Sequence, residues 1–538
     1  MSGAAAPAAA SGRLRLAGGD WLVLAALAAL ALAPLIGLLV RVWTQGGVIT
    51  GGDGFLVTDP MQYVNWGRQS SQFGAAANLY DLAPSPHSFV HPGLLISGLL
   101  HRLGFGVVLA YLVWKPVAVV ALFAGAFLFA ARFLGRSGDR RVAVICALFF
   151  ASPVAAVVGW AAAPQSAAKF NLDFVSGELW TGTYLWGYLF TAISVGIMPL
   201  GLLAFELIRR GGSRRWLVIA AATGMFVSWL QPWQGATFAL VLVAASVACD
   251  WRTRPALLRS AKLLLPVLAA TALPLIYYFV LSKNDPSWEL AGVVNNFGRW
   301  PFWVTVVGLA PVALPALFAY RIAPRDFGDW MLRIWPIAGL VVFYLPVGTF
   351  PFHAFQGLAL PLAILAVIAA RRWLGERPLP VFWTIGIVGL LVVPGTLYRA
   401  DQLRGAVNAG HQAFFLTAGE RDAMRWIERQ PGPGGVLATT ADGAYISAYT
   451  GRPVWIGAGS WTPDFAWREL GVVGLFTGIG PPAQAQSLVT SSGARFIYAS
   501  CRVSFDLTAT LAPLTTGPMQ RFGCARVWQI KAPPGGWR

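Results

Sequence analysis

A chain of 538 residues with 57% hydrophobic and only 12% charged residues is no ordinary soluble domain, in which about a quarter of residues are charged. The formal charge of +18 does not point to nucleic acid, because the arginines sit in short connections between apolar runs and no long basic patch interleaves with aromatics. Apolar runs near spanning length recur along the chain, which defines a polytopic α-helical membrane protein.

In chain order, residues 1–19 are rich in Ala, Gly and Ser and carry Arg13 and Arg15, the composition of a disordered cytoplasmic tail. Residues 21–40 form the first span. The run is long for a signal-peptide core and no small-residue cleavage site follows, so it is expected to be retained. The two arginines place the amino terminus inside and the large polar loop 43–106 outside. Further spans are expected at 109–133, 142–160 and 184–208. The stretch 216–249 is too long for one span and is broken at Gln231-Pro232-Trp233-Gln234-Gly235, so it reads as two short spans with a tight turn. The remaining spans fall at 263–281, 302–320, 334–347, 358–370 and 381–397. The total is about eleven, with every Arg-dense short loop on one side. The transmembrane module is thus 20–398.

Beyond Arg399 the polar residues return and no run approaches spanning length. Residues 420–428 read as an amphipathic helix, 435–440 and 452–457 as short buried strands, 463–470 as a helix and 492–498 as a strand. This pattern predicts an α/β domain over 399–538 with a partly parallel sheet, placed outside by the odd number of spans. Cys501 and Cys524 both fall in this domain, where oxidation is permitted, and are expected to pair. Cys146 and Cys249 read as packing residues. No glycine-rich dinucleotide fingerprint, P-loop or paired-histidine metalloprotease motif occurs, so no nucleotide cofactor is expected.

The polar inventory of the outer face is small. The first loop supplies Asp53, Asp59, Arg68, Asp81, His87 and His91, and the second Lys169, Asp173 and Glu178. Gln231 and Gln234 follow, then Lys283, Asp285, Glu289 and Arg299, then His353 and Gln356. Most read as solvated charges or as partners for backbone freed at helix breaks. Asp59 stands at the start of an aromatic-flanked helix with Tyr63 and Trp66, where it could be a simple cap or a reacting carboxylate.

The run from Asp59 through Pro60, Tyr63 and Trp66 to Arg68 opens a pattern that continues with Asn78-Leu79-Tyr80-Asp81 and a His-Pro turn. Thr450 to Gly457 and Trp461 to Phe465 lie in the terminal domain. With the many spans, these stretches resemble the integral-membrane glycosyltransferases of the GT-C class. The resemblance implies a hexosyl- or pentosyltransferase of the plasma (inner) membrane serving glycan biosynthesis in the cell envelope. It would take a sugar from a polyprenyl-phosphate donor and pass it to a glycan, lipid or protein acceptor. The acidic residue of the first loop carries over to Asp59, with Asp53 second. Asp173 and Glu178 take the positions of acids that hold a divalent cation (Mg or Mn) in some members. A cation such as Arg299 or Lys169 would meet the departing phosphate, with Tyr63 and His353 beside the substrate. The tryptophan-rich signature of oligosaccharyltransferases is absent, which leaves the acceptor open. The competing reading is a transporter or flippase of lipid-linked or small substrates, to which broken spans are also suited.

Overall fold

A computed structural model of the chain describes residues 16–163, 166–296, 298–345, 350–409 and 414–533. The expected tail therefore lies almost wholly outside the described residues. Among those described, nine helices are long and apolar enough to cross a membrane. They are Gly18–Gln45, Val107–Phe133, Ser137–Ala161, Leu189–Arg209, Pro232–Asp250, Arg254–Asn284, Phe302–Arg321, Pro351–Leu374 and Val381–Asn408. The other two expected spans are helical too. Arg215–Leu230 has 16 residues, about 24 Å of helix and less than a hydrocarbon core of about 30 Å. Phe327–Tyr344 carries Asp329 and Arg333 in its first turns, paired with Arg325 and with main-chain carbonyls. The expected break is at Gln231, whose extended backbone ends one helix while Pro232 starts the next, where its missing N–H costs nothing.

Leu189–Arg209 and Pro351–Leu374 are the central helices: 72% of each apolar window is buried, against 17% for Val381–Asn408 at the periphery. Close approach at the centre depends on glycine. A Cβ on Gly125 would stand 1.9 Å from the Gly196 carbonyl oxygen, so Val107–Phe133 and Leu189–Arg209 touch backbone to backbone there. At the end bearing the basic loops, the charges neutralise one another, with Arg132 bridging Glu206 and Asp326 and Arg210 joining both.

At the opposite end β1 (Val48–Ile49) pairs antiparallel with β2 (Phe415–Leu416), tying the exit of the first span to the chain emerging from the last. A four-stranded sheet follows, in the order β3-β4-β6-β5. Its strands are β3 (Val436–Leu437), β4 (Phe496–Ala499), β5 (Gln520–Phe522) and β6 (Ala525–Gln529). β3 and β4 run parallel and the other pairs antiparallel, the partly parallel sheet anticipated from the sequence. The expected strand at 452–457 contributes only a single bridge, Val454 to Val436. Helix Ala418–Arg429 opens with a capping box, in which Thr417 and Glu420 satisfy each other's backbone N–H groups. Cys501, after β4, is bridged to Cys524 in the β5–β6 turn.

The polar first loop lies against this C-terminal sheet unit. Arg68 meets Glu428 and the Tyr449 carbonyl, Tyr80 Oη donates to the Ala444 carbonyl (3.0 Å), and Asp81 pairs with Arg468 (2.9 Å). Asp81 is thus a docking charge. His91 caps helix Pro92–Arg102 through Nδ1, and burial holds its imidazole down at about 3, so it stays neutral.

Candidate active site

The loop leaving β1 is Gly51-Gly52-Asp53-Gly54, and its glycines serve contact. A Cβ on Gly54 would lie 1.6 Å from the Trp186 carbonyl oxygen, so only glycine lets this loop press on segment 185–188. That segment is fixed from other sides as well. Trp186 Nε1 donates to the Leu30 carbonyl (2.6 Å), Tyr111 Oη donates to the Gly187 carbonyl, and Lys115 Nζ donates to the Leu185 carbonyl (2.6 Å). Lys115 also forms a buried ion pair with Asp53 (2.6 Å). Asp53, expected as the second candidate for the reacting carboxylate, is therefore taken up in bracing the loop against the span Val107–Phe133. Burial pushes its carboxyl up from the ordinary range, and Lys115 opposes that.

The braced segment delivers Tyr188 to Asp59. Asp59 sits in the first turn of helix Thr58–Phe73, half-buried; its Oδ2 accepts from Tyr188 Oη at 2.6 Å and its Oδ1 from Thr58 Oγ1 at 3.4 Å. Burial raises the Asp59 carboxyl above its usual range, while the two hydroxyls and the nearby His353 draw it back. His353 stands at the middle of the short turn Pro351–Phe355. Its Nδ1 bonds to Glu178 Oε2 (3.0 Å), which also accepts from Gln356 Nε2 (2.8 Å). The turn itself is held by Gln234, whose Nε2 donates to the carbonyls of His353 (2.6 Å) and Gln356 (3.0 Å). Phe350 stacks on the imidazole at 5.5 Å, leaving Nε2 with no hydrogen-bond partner among the described residues. With Nδ1–H given to Glu178, Nε2 is the free ring nitrogen. Tyr63, one turn after Asp59, stacks on Tyr111 (5.8 Å) and feels the Asp59 charge.

The structure thus brings together Asp59, Tyr188, Glu178, His353 and Gln356, with Tyr63 alongside. Other expected residues lie elsewhere. Asp173 shares helix Ala167–Leu179 with Glu178, but its Oδ2 is held by Tyr398 Oη (2.9 Å) and Gln402 Nε2 (3.1 Å). The two acids therefore do not converge, and among the described residues no three His, Cys, Asp or Glu side chains form a ready cation site. Arg299 reaches the Leu345 carbonyl and lies over the Phe343 ring at 5.9 Å. Lys169 is half-exposed with no ion-pair partner among the described residues. Tyr188 escapes sequence reasoning because it falls inside the expected span 184–208, where an aromatic reads as core. The signal for it was Gly187, which marks the chain turning before the helix begins (φ 140°).

No protein-family model and no curated sequence matches the chain. Solved structures do. The oligosaccharyltransferase of Archaeoglobus fulgidus superposes with a TM-score of 0.54 at 12% identity, over 92% of this chain and 71% of that one. The fold is that of the GT-C membrane glycosyltransferases. ArnT of Cupriavidus metallidurans, solved with undecaprenyl phosphate, gives a TM-score of 0.52 at 16% identity, over 95% of this chain and 98% of that one. AglB of Archaeoglobus fulgidus, in complex with an inhibitory peptide and a dolichol-phosphate, gives 0.51 at 13% identity, over 92% and 70%. The GT-C architecture and the integral-membrane character expected from sequence are both present in the chain.

Proposed function

We propose that this chain is an integral-membrane glycosyltransferase that moves a hexosyl or pentosyl group from a polyprenyl-phosphate donor to an acceptor hydroxyl. The observation that carries the reading is the Asp59–Tyr188 hydrogen bond (2.6 Å) beside the Glu178–His353 pair, in a GT-C fold whose solved relatives hold polyprenyl phosphates. Asp59 Oδ1 takes the proton of the acceptor hydroxyl while Tyr188 holds Oδ2. The acceptor oxygen bonds to the anomeric carbon, the carbon–oxygen bond to phosphate breaks, and polyprenyl phosphate departs with its electron pair. His353 Nε2, steadied by Glu178 and Gln356, faces the substrate, while Lys169 and Arg299 stand apart from this cluster and are given no step. Tyr63 lines the acceptor side. Asp53 has a bracing role in this scheme.

The Archaeoglobus fulgidus enzyme has been solved with zinc and sulfate. In this chain Asp173 turns to Tyr398 and Gln402 and Glu178 to His353 and Gln356, so the two acids do not converge on a shared cation and no step is routed through one. The basic loops at the opposite end support an extracytoplasmic position for the C-terminal unit, the first loop and Asp59, and the reading puts the chain in the plasma (inner) membrane. A strain deleted for this chain should lose a sugar from a cell-envelope glycan. Wild type, but not Asp59→Asn, should restore it on mass spectrometry of surface glycans. Restoration by Asp59→Asn would sink the assignment.

A further inference from the structure

A second crevice shares no residue with the site above. It lies where the last turn of Gly18–Gln45, β2 and the disulfide loop meet, and is lined by Arg41, Gln45, Phe415, Thr417, Glu420 and Arg502 among others. Two spans end at it, because Arg41 Nη1 donates to Asn408 Oδ1 (3.1 Å) at the end of the last long helix. The crevice is therefore at the level where apolar helix gives way to water. On the first span, Ile36, Leu39, Val40 and Trp43 are exposed apolar residues on a face turned away from Arg41 and Gln45, and Trp43 is 86% exposed.

Its cations are held in place. The Arg41 guanidinium lies over the Phe415 ring at 4.9 Å and gives Nε–H to Gln45 (3.3 Å), while no described residue accepts from Nη2. Arg502 follows the bridged Cys501. Its Nη2 donates to the Phe415 carbonyl (3.0 Å), and Nη1 stands 3.7 Å from Asp442. The nearby acids are already engaged. Glu420 accepts from the backbone N–H of Thr417 (2.6 Å) and of Cys501 (3.0 Å). Asp442 is enclosed, its carboxyl raised by burial and bonded by Tyr445 Oη (2.7 Å). Two arginines with donor capacity to spare thus face a cavity at head-group height, where two spans end.

We propose that this crevice seats the phosphate head group of an anionic glycerophospholipid from the surrounding bilayer, with Arg41 and Arg502 as its two charged contacts. The site is independent of the transferase reading. The test is native mass spectrometry of the detergent-purified full chain with dioleoyl-phosphatidylglycerol, with dioleoylglycerol and with inorganic phosphate as separate probes. A first phosphatidylglycerol adduct should form on wild type and weaken about tenfold in Arg41→Gln, the loss of one charge-assisted contact. Arg502→Gln, on a different element, should weaken it similarly, so that misfolding of one variant does not decide the outcome. Arg404→Gln, an exposed arginine at similar depth, should leave it unchanged. Equal retention of dioleoylglycerol, adducts undiminished from wild type in both crevice variants, or displacement of the lipid by millimolar inorganic phosphate would each overturn the proposal.

Discussion

Replacing Asp59 by asparagine separates chemistry from architecture. Asparagine has the same shape, and its Oδ1 can still accept the Tyr188 hydroxyl that now lies 2.6 Å from Oδ2. What is lost structurally is one negative charge in the first turn of Thr58–Phe73, worth about 0.3–1 kcal/mol at a helix N-terminus. What is lost chemically is the base, typically about 10² to 10⁴ in rate, or roughly 3–5 kcal/mol of barrier. Asp59→Asn should therefore purify like wild type and transfer sugar at least about a hundredfold more slowly. The pH profile sharpens the test. Burial raises the Asp59 carboxyl, so the acidic limb of kcat/KM should lie above the ordinary carboxylate range, with the rate falling as pH drops through it. The Tyr188 hydroxyl stabilises the charged form and draws that value down. Tyr188→Phe should thus move the acidic limb to higher pH while lowering the rate only modestly. Near-normal turnover in Asp59→Asn, or a limb moving to lower pH in Tyr188→Phe, would refute the reasoning.

Lys115→Met strands the buried Asp53 carboxylate, which should cost about 3–5 kcal/mol and show as loss of the monodisperse peak in size-exclusion chromatography, with Asp53→Asn in the same chain restoring part of it. Replacing Cys501 and Cys524 by serine opens a bridge spanning 23 residues and should lower stability by about 3 kcal/mol in thermal unfolding of the purified protein, with no change at the Asp59 site. In a Cys249→Ser background, cysteines placed at the exposed Gln72 and Ser487 should react with an impermeant thiol reagent on intact cells and one at the exposed Ser213 should not. The reverse pattern would invert the topology.

The spans were legible because apolar runs and arginine clusters are local signals, and each expected segment is helical over most of its described residues. The turn at Gln231 was legible for the same reason: proline after a polar residue can only restart a helix there. The C-terminal sheet was readable in type. At 452–457, however, the hydrophobic pattern could not reveal that Pro453 and Gly457 leave only one bridge to β3. The site was half legible. Asp59, Glu178, His353 and Gln356 stood out as polar groups near span ends, but what joins them is long-range packing between residues about 120 to 300 positions apart. Asp173 and Glu178 look adjacent in sequence, yet five residues on a helix turn through roughly 140°, which sends Asp173 to Tyr398 and Glu178 to His353. Asp53 stood second to Asp59 as the reacting carboxylate, and only its partner Lys115, 62 positions away, gives it a bracing place instead.

The reading of this chain as a transferase is tested most directly by following both halves of a labelled donor in proteoliposomes. A polyprenyl-phosphate sugar, labelled in the sugar and in the lipid, is supplied with an envelope extract as acceptor. Wild type should release free polyprenyl phosphate in equal amount to the sugar that appears on the acceptor, and Asp59→Asn should release neither. Intact donor carried from one leaflet to the other without cleavage, equally in wild type and Asp59→Asn, would contradict the assignment and make the chain a flippase.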